Sequence, residues 1–375
     1  MTSRNLFATA VGAILVMAAS SAAALGQNDP AVGGFLAGDE DSTTSLSAST
    51  ADQSPRDGCC DLGGCRSYGS PRWTAAADVI IFDRIGNANQ TLVERQPRSK
   101  PYTDAGVEAL NSSDFRQGFA AGPRLDLIRH GDRGYDFELS YFQIDGWNSD
   151  RSVGPDDPPD WLIMRSPGFI QTNQQSDQAM VWDYATKLYN AECNVRWNPY
   201  RRLTVLAGFR WMRLGENLVG TLDPTTFPWE ESRWHFWNTT TTNDLYGFQI
   251  GADGKLWERG RFSIGGLVKA GIFDNNAEQT TEISVIFKRQ RWASASTNHA
   301  AFVGETGLQC KYQLTERFLL KAGYEAIWLQ GVALAPGQIQ ETSTDMSKIT
   351  VQALGVNCDA GVFYHGATAG LEYSF

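Results

Sequence analysis

The last nine residues, Ala367-Thr368-Ala369-Gly370-Leu371-Glu372-Tyr373-Ser374-Phe375, constrain the fold more than any other stretch. Successive side chains of an extended strand point to opposite faces. Ala367, Ala369, Leu371, Tyr373 and Phe375 therefore share one face, and Thr368, Gly370, Glu372 and Ser374 the other. A strand that alternates in this way and finishes on an aromatic ring suits the closing strand of a bacterial outer-membrane barrel, one face in lipid and one in the lumen. The terminal ring then sits at the lipid–water boundary, where aromatic side chains are favoured. The barrel-assembly machinery would engage the chain through this same strand.

The alternation recurs upstream. Leu203, Val205, Ala207, Phe209 and Trp211 take one parity against Thr204, Gly208 and Arg210. Phe318, Leu320, Ala322, Tyr324, Ala326 and Trp328 do the same against Lys321, Gly323 and Glu325. A soluble sandwich would show the same parity, so the connections have to decide. Short turn sequences fall at Gly131-Asp132-Arg133-Gly134, Asn198-Pro199-Tyr200-Arg201, Trp257-Glu258-Arg259-Gly260 and Leu314-Thr315-Glu316-Arg317. Between them lie long polar stretches at about 86–115, 148–178, 215–241, 274–298 and 330–361. Strict alternation of short and long links is the pattern of a membrane barrel, with short periplasmic turns and long external loops.

The pattern predicts a single all-β antiparallel barrel over 72–375 with ten crossings, near 72–84, 116–130, 134–146, 180–197, 202–214, 242–255, 261–273, 299–313, 317–329 and 363–375. The segment 280–287 also alternates and is read as an extension above the membrane, with twelve strands as the alternative. Trp73, Trp197, Phe262, Phe318, Tyr373 and Phe375 are expected in a girdle at the periplasmic ends, and Trp147, Trp211 and Trp328 in one at the external ends.

Ahead of the barrel, Arg4, the apolar stretch 6–19 and the small residues 20–24 read as a secretory signal peptide, assigned to 1–26. Residues 27–71 are rich in Ser, Thr, Gly and Asp and read as a disordered periplasmic leader. The destination predicted is the outer membrane, with its lipid as the immediate partner. Mean hydropathy is −0.32, which a barrel tolerates because its apolar residues are confined to alternate positions. A formal charge of −10 argues against nucleic acid as a partner. Cys59, Cys60 and Cys65 could contain one disulfide, whereas Cys193 and Cys310 read as small wall residues. Neither a metal site nor a cofactor is implied.

Several phrases resemble the beta-barrel porin-7 family of planctomycete-type bacteria. They are Trp73-Thr74-Ala75-Ala76-Ala77-Asp78, Gly122-Pro123-Arg124-Leu125, Gly208-Phe209-Arg210-Trp211, the run from Asn243 to Ala252, Gly304-Glu305, Gly323-Tyr324, Val332-Ala333-Leu334-Ala335-Pro336 and His365-Gly366-Ala367. Their order along the chain carries the resemblance. It implies an outer-membrane barrel with a porin role and brings no catalytic residues with it.

Parity places Asp78, Arg124, Asp126, Asp136, Glu138, Glu192, Arg196 and Arg210 in the lumen. Asp253, Lys269, Glu305, Lys311, Lys321, Glu325 and Glu372 join them. An open bore of this composition would pass small solutes and ions with a preference for cations. Ion pairing across the bore would instead close it. About eight strands are filled by side chains, while sixteen leave a channel. Inward glycines such as Gly208, Gly247, Gly251 and Gly370 are expected to widen the bore. Passive diffusion is the first expectation. The alternative is a closed barrel that binds through external loops such as 229–237, with Trp229, Trp234 and Trp237. Catalysis at His299 and His365 near the external rim, with Glu305, is the weakest expectation.

Overall fold

The computed structural model describes residues 71–86, 88–96, 106–131, 134–154, 161–164, 175–176, 179–200, 202–222, 236–285, 289–345 and 350–375. The chain divides into Met1–Arg66 and Ser67–Phe375. The expected signal peptide, the leader up to residue 70 and Cys59, Cys60 and Cys65 lie outside the described residues.

Among the described residues sixteen strands follow in order. They are β1 (Trp73–Ile85), β2 (Thr91–Gln96), β3 (Val107–Asn111), β4 (Phe119–His130), β5 (Tyr135–Val153), β6 (Trp161–Met164), β7 (Gln175–Ser176) and β8 (Met180–Tyr200). The rest are β9 (Leu203–Leu222), β10 (Phe236–Arg259), β11 (Phe262–Val285), β12 (Arg289–Gln313), β13 (Phe318–Val332), β14 (Thr342–Asp345), β15 (Thr350–Ala353) and β16 (Ala360–Ser374). Ten close a ring in the order β1-β16-β13-β12-β11-β10-β9-β8-β5-β4, and every neighbouring pair is antiparallel. The ten crossings expected from the alternation are therefore the ten strands of the ring. At the seam, Trp73 N–H donates to Phe375 O and Phe375 N–H to Trp73 O, both at 2.9 Å. Closure of this kind leaves no edge to meet hydrocarbon.

The wall is uneven in height. β8 to β12 are 20 to 25 residues long, against 12 to 15 for β13, β16, β1 and β4. Much of 215–241 and 274–298, expected as loop, is wall: β9 and β10 stay in register to Thr221↔Phe236, and β11 and β12 to Val285↔Arg289. Runs such as Asn238-Thr239-Thr240-Thr241-Thr242-Asn243 explain the difference, since β-branched residues suit a pleated surface even where they are polar. The other long links build a cap at this loop end. It consists of a sheet in the order β3-β2-β6-β7 and the pair β14–β15.

Eight of the nine expected girdle residues face outward, in one belt at each end. At the turn end, the Phe318 and Tyr373 ring centroids lie 4.6 Å apart, those of Tyr373 and Phe375 5.7 Å, and the Arg129 guanidinium stands 5.8 Å over the Trp73 ring. Trp197 and Phe262 belong to the same belt. At the loop end, Trp211 Nε1 donates to Asp244 at 3.3 Å, and Trp328 packs 6.4 Å from Phe302.

Trp147 departs from the expectation. It is fully buried inside the barrel, and its Nε1 donates to Phe82 O at 3.0 Å. The register of β5 shifts between Asp145 and Trp147, where Gly146 takes φ 129°. One extra residue in a strand sends every later side chain to the opposite face, and glycine reaches that φ without a Cβ clash.

Candidate functional site: the lumen

Every residue expected in the lumen points into it, but the side chains pair with one another and do not line an open path. Arg124 makes a two-pronged bond to Glu325, Nη1 to Oε2 at 2.6 Å and Nη2 to Oε1 at 2.7 Å. Arg210 Nη1 donates to Glu305 at 2.8 Å, and its Nε lies 3.5 Å from Glu192. Lys269 Nζ bridges the same two carboxylates at 3.0 and 3.1 Å. Lys321 holds Asp78 at 2.8 Å with Asp126 at 3.9 Å, and Arg196 joins Glu138 and Asp253. At the turn-end rim Lys311 faces Glu372 at 3.7 Å, and Asp136 accepts from Asn198 Nδ2 at 3.1 Å.

Amides complete this network. Gln249 Nε2 donates to Glu192 at 2.7 Å, Arg210 Nε to Asn190 at 2.7 Å, and Asn194 Nδ2 to Glu138 at 3.0 Å. Charges in a dry interior persist only when paired and hydrogen-bonded. The ion pairs draw on all ten strands of the ring, and only single atoms of them, Asp78 Oδ1, Arg124 Nε and Arg210 Nη2, are buried without a hydrogen-bond partner.

Directly above, towards the loop end, the same inward parity turns apolar. Ile80, Phe82, Phe142, Ile144, Trp147, Leu188, Met212, Leu214, Leu245, Phe273, Ile327, Leu329 and Tyr364 form one buried cluster, each at most 2% exposed. Inward glycines make room for this layer and do not widen a bore. A Cβ on Gly247 would fall 2.6 Å from the Phe273 ring, and one on Gly271 2.7 Å from it. On β16, a Cβ on Gly370 would meet Asp78 Oδ1.

A third storey closes the loop end. The chain leaves β13 through a bulge at Gly331 and dives inward, so that Ala333, Leu334, Ala335 and Ile339 are buried. Asn243 holds Ala333 by both backbone groups, Nδ2 to Ala333 O at 2.8 Å and Ala333 N–H to Oδ1 at 2.7 Å. Asn275 Nδ2 donates to Gly331 O at 2.9 Å. Glu216, fully buried, accepts from Arg84, from Tyr184 Oη at 2.7 Å and from Ala335 N–H at 2.8 Å. Cap residues Leu92, Val93, Leu110 and Leu162 pack with wall residues Trp182, Leu218 and Trp237.

The sequence reading missed Asn243, Asn275, Glu216, Arg84, Asn190 and Gln249. It also missed the apolar storey, although Val79-Ile80-Ile81-Phe82 is apolar on both parities and signals a filled interior. In the Trp-rich loop, residues 229–235 lie outside the described residues, and Trp237 turns inward with Nε1 donating to Thr239 at 2.8 Å. The rim histidines are not brought together. β13 stands between β12, which carries His299, and β16, where His365 bonds Tyr324 Oη at 2.6 Å on the outer face. Glu305 is held inside by Arg210 and Lys269.

Below the charged storey the lumen opens at the turn end as a cup of about 300 Å³. Its rim carries Thr74, His130 and Glu372, and its inner wall Asp126, Glu192 and Lys269. Thr74 Oγ1 and His130 Nε2 lie 2.8 Å apart, and His130 Nδ1 is 3.2 Å from Asp136, which ties β1, β4 and β5 at the rim.

Among solved structures, the chain is similar to the outer membrane protease OmpT of Escherichia coli, at 11% identity and TM-score 0.43, over 81% of this chain and 96% of that one. It is also similar to the toluene transporter TodX of P. putida, at 11% identity and TM-score 0.30, over 82% and 91%. The attachment invasion locus protein Ail of Yersinia pestis matches at 9% identity and TM-score 0.24, over 81% and 99%. No curated protein matches the chain. The family model described as Putative beta barrel porin-7 matches residues 75–375, and the chain belongs to that family of outer-membrane β-barrels.

Proposed function

We propose that this barrel is closed and serves as an outer-membrane anchor that presents its cap as a binding surface. The N-terminal segment exports the chain, and β16 engages the assembly machinery. The apolar storey carries this reading. A diffusion path needs a water-filled thread, whereas the cross-section between Phe82, Trp147, Leu188 and Phe273 is filled by side chains no more than 2% exposed. Passive diffusion, which the family description favours, would require that layer and the 333–341 segment to move aside together. The reading assigns the chain no catalytic chemistry.

Planar-bilayer recording of the refolded full chain tests it. The expected result is no unitary conductance at about 100 mV in molar salt. Discrete ion-selective steps that respond to Lys269→Glu would overturn the closed reading and restore a channel.

A further inference from the structure

The uneven wall leaves a long stretch of β12 with a neighbour on one side only. β13 pairs with β12 from Leu319↔Gln313 to Gln330↔Phe302 and then turns inward at Gly331, whereas β12 stays with β11 up to Val285↔Arg289. Above Phe302, which packs on the girdle residue Trp328, β12 has no strand on its far side among the described residues. We propose that this edge is a docking site for an extended, basic polypeptide segment, added as one further strand at the loop end. The inference rests on the reading of that end as the one presented to partners.

The backbone supplies the donors and acceptors. Successive residues of an antiparallel strand turn their N–H and C=O to opposite sides. Gln313 N–H donates to Arg261 O on the β11 side, and the β11–β12 register runs from there without a shift. Odd-numbered residues of β12 therefore face β11, and Ser294, Ser296 and Asn298 turn their backbone groups to the open side. All three are exposed. The β14–β15 pair lies on the inner side of the wall, with Thr342 Oγ1 3.3 Å from Thr281, and joins no sheet with β12. A row of unpaired N–H and C=O groups is a template for an added strand.

A second edge in the same wall is protected, and the contrast is independent of the geometry of β12. β5 also rises past its neighbour, pairing with β4 only as far as Phe142↔Arg124. It carries the bulge at Gly146 and the charges of Asp145, Asp150 and Arg151, and Arg151 Nε donates across to Asp114 O at 3.1 Å. Bulges and charges are the devices that keep a sheet edge from pairing. From Trp292 to Ala301, β12 has no proline, no acidic or basic residue beyond His299, and no break in register.

Charge selects the occupant. On the outer face of β11, Asp274, Glu278 and Glu282 stand opposite Ala300, Ser296 and Trp292 of β12. No described Lys or Arg pairs with any of the three. Residues directly opposite each other share a face of the sheet. A lysine opposite Ser296 on the added strand would therefore lie two strand spacings from Glu278, about 10 Å, within reach of its long side chain. A second copy of this chain fits less well. Barrel strands tilt about 35–45° from the axis, so edges related by a two-fold along the membrane normal cross at about twice that angle.

Fluorescence anisotropy of the refolded full chain in detergent tests the proposal. The probe is a fluorescein-labelled nonapeptide of alternating threonine and lysine, and its threonine–glutamate counterpart is the control. We expect one saturable site for the lysine peptide with Kd below about 100 μM, and none for the glutamate peptide. Ser296→Pro removes one edge donor and leaves every charge in place, and an edge strand tolerates proline where its N–H faces outward. It should weaken binding at least about tenfold. Ser296→Ala, which keeps the backbone groups, should leave binding unchanged, and Glu278→Gln should weaken it about two- to fivefold. Circular dichroism melts report whether the proline variant is folded. If it is not, the probe carries the test: N-methylation of its lysines, whose backbone faces β12, should abolish binding, and N-methylation of its threonines should not. Absence of saturable binding, equal binding of the glutamate peptide, or indifference to the proline and to lysine N-methylation would each overturn the proposal. A dimer of the chain that Ser296→Pro dissolves would also overturn it, since the edge would then serve a second copy. Conductance reports on the lumen alone, so a silent bilayer without peptide binding sinks the edge and leaves the closed lumen standing.

Discussion

Asn243 on β10 treats Ala333 as an adjoining strand would, giving one hydrogen bond to its carbonyl at 2.8 Å and taking one from its N–H at 2.7 Å. Both residues are fully buried. Asn243→Leu keeps the branching of the side chain, with somewhat more bulk, and leaves that peptide group without partners. We expect a loss of about 2–5 kcal/mol, the cost of two buried groups unpaired. Denaturant unfolding in micelles measures it. Limited proteolysis should at the same time begin to cut within 333–341.

Arg210 stands between Glu192 and Glu305, with its side chain 1% exposed and theirs 2%. Arg210→Leu leaves two carboxylates to share Lys269, at a cost of about 3–5 kcal/mol. Adding Glu305→Gln should recover part of that loss. A double-mutant cycle on unfolding midpoints gives the coupling, and additive losses would show that the pair acts independently.

Phe273 fills the space above two glycines, so the site is sensitive in both directions. Phe273→Ala should cost about 3–5 kcal/mol through the cavity it leaves. Gly247→Ala should cost about 1–3 kcal/mol through overpacking. Combining them should not restore stability fully, because the new Cβ still falls 2.3 Å from Ile272 O. Thermal melts of the three variants decide this.

Cys358 sits in the link between β15 and β16, where burial and then the Asp359 carboxylate push its thiol up to about 11. Only the thiolate reacts. In a chain with Cys358 as its one cysteine, maleimide labelling should be slow at pH 7. Its rate should climb about tenfold per pH unit until pH approaches 11. In unfolding concentrations of denaturant the climb should instead level off near the ordinary thiol value of about 8.5, which would tie the shift to the fold.

The ring was legible in the sequence because period-two alternation and the short–long rhythm of connections are both local signals. Lumen-facing charges such as Arg124 and Glu305 followed from parity for the same reason. Partners were not legible, since Arg124 meets Glu325 across 201 positions of sequence and no local pattern encodes which strands face each other over the bore. Trp147 was misplaced because a single bulge reverses parity, and only Gly146 marks it. Asn243 read as an ordinary strand residue. Its role depends on a loop arriving from 90 positions away.

The reciprocal bonds between Trp73 and Phe375 place the two ends of the wall side by side on one rim. A cylinder stitched in this way has no privileged starting stave. Joining those ends through a short linker and cutting the chain at the tight turn of Gly260 and Arg261 would leave the same ten neighbours in the same registers. The order in which the staves are synthesised would change while the finished vessel stayed as it is.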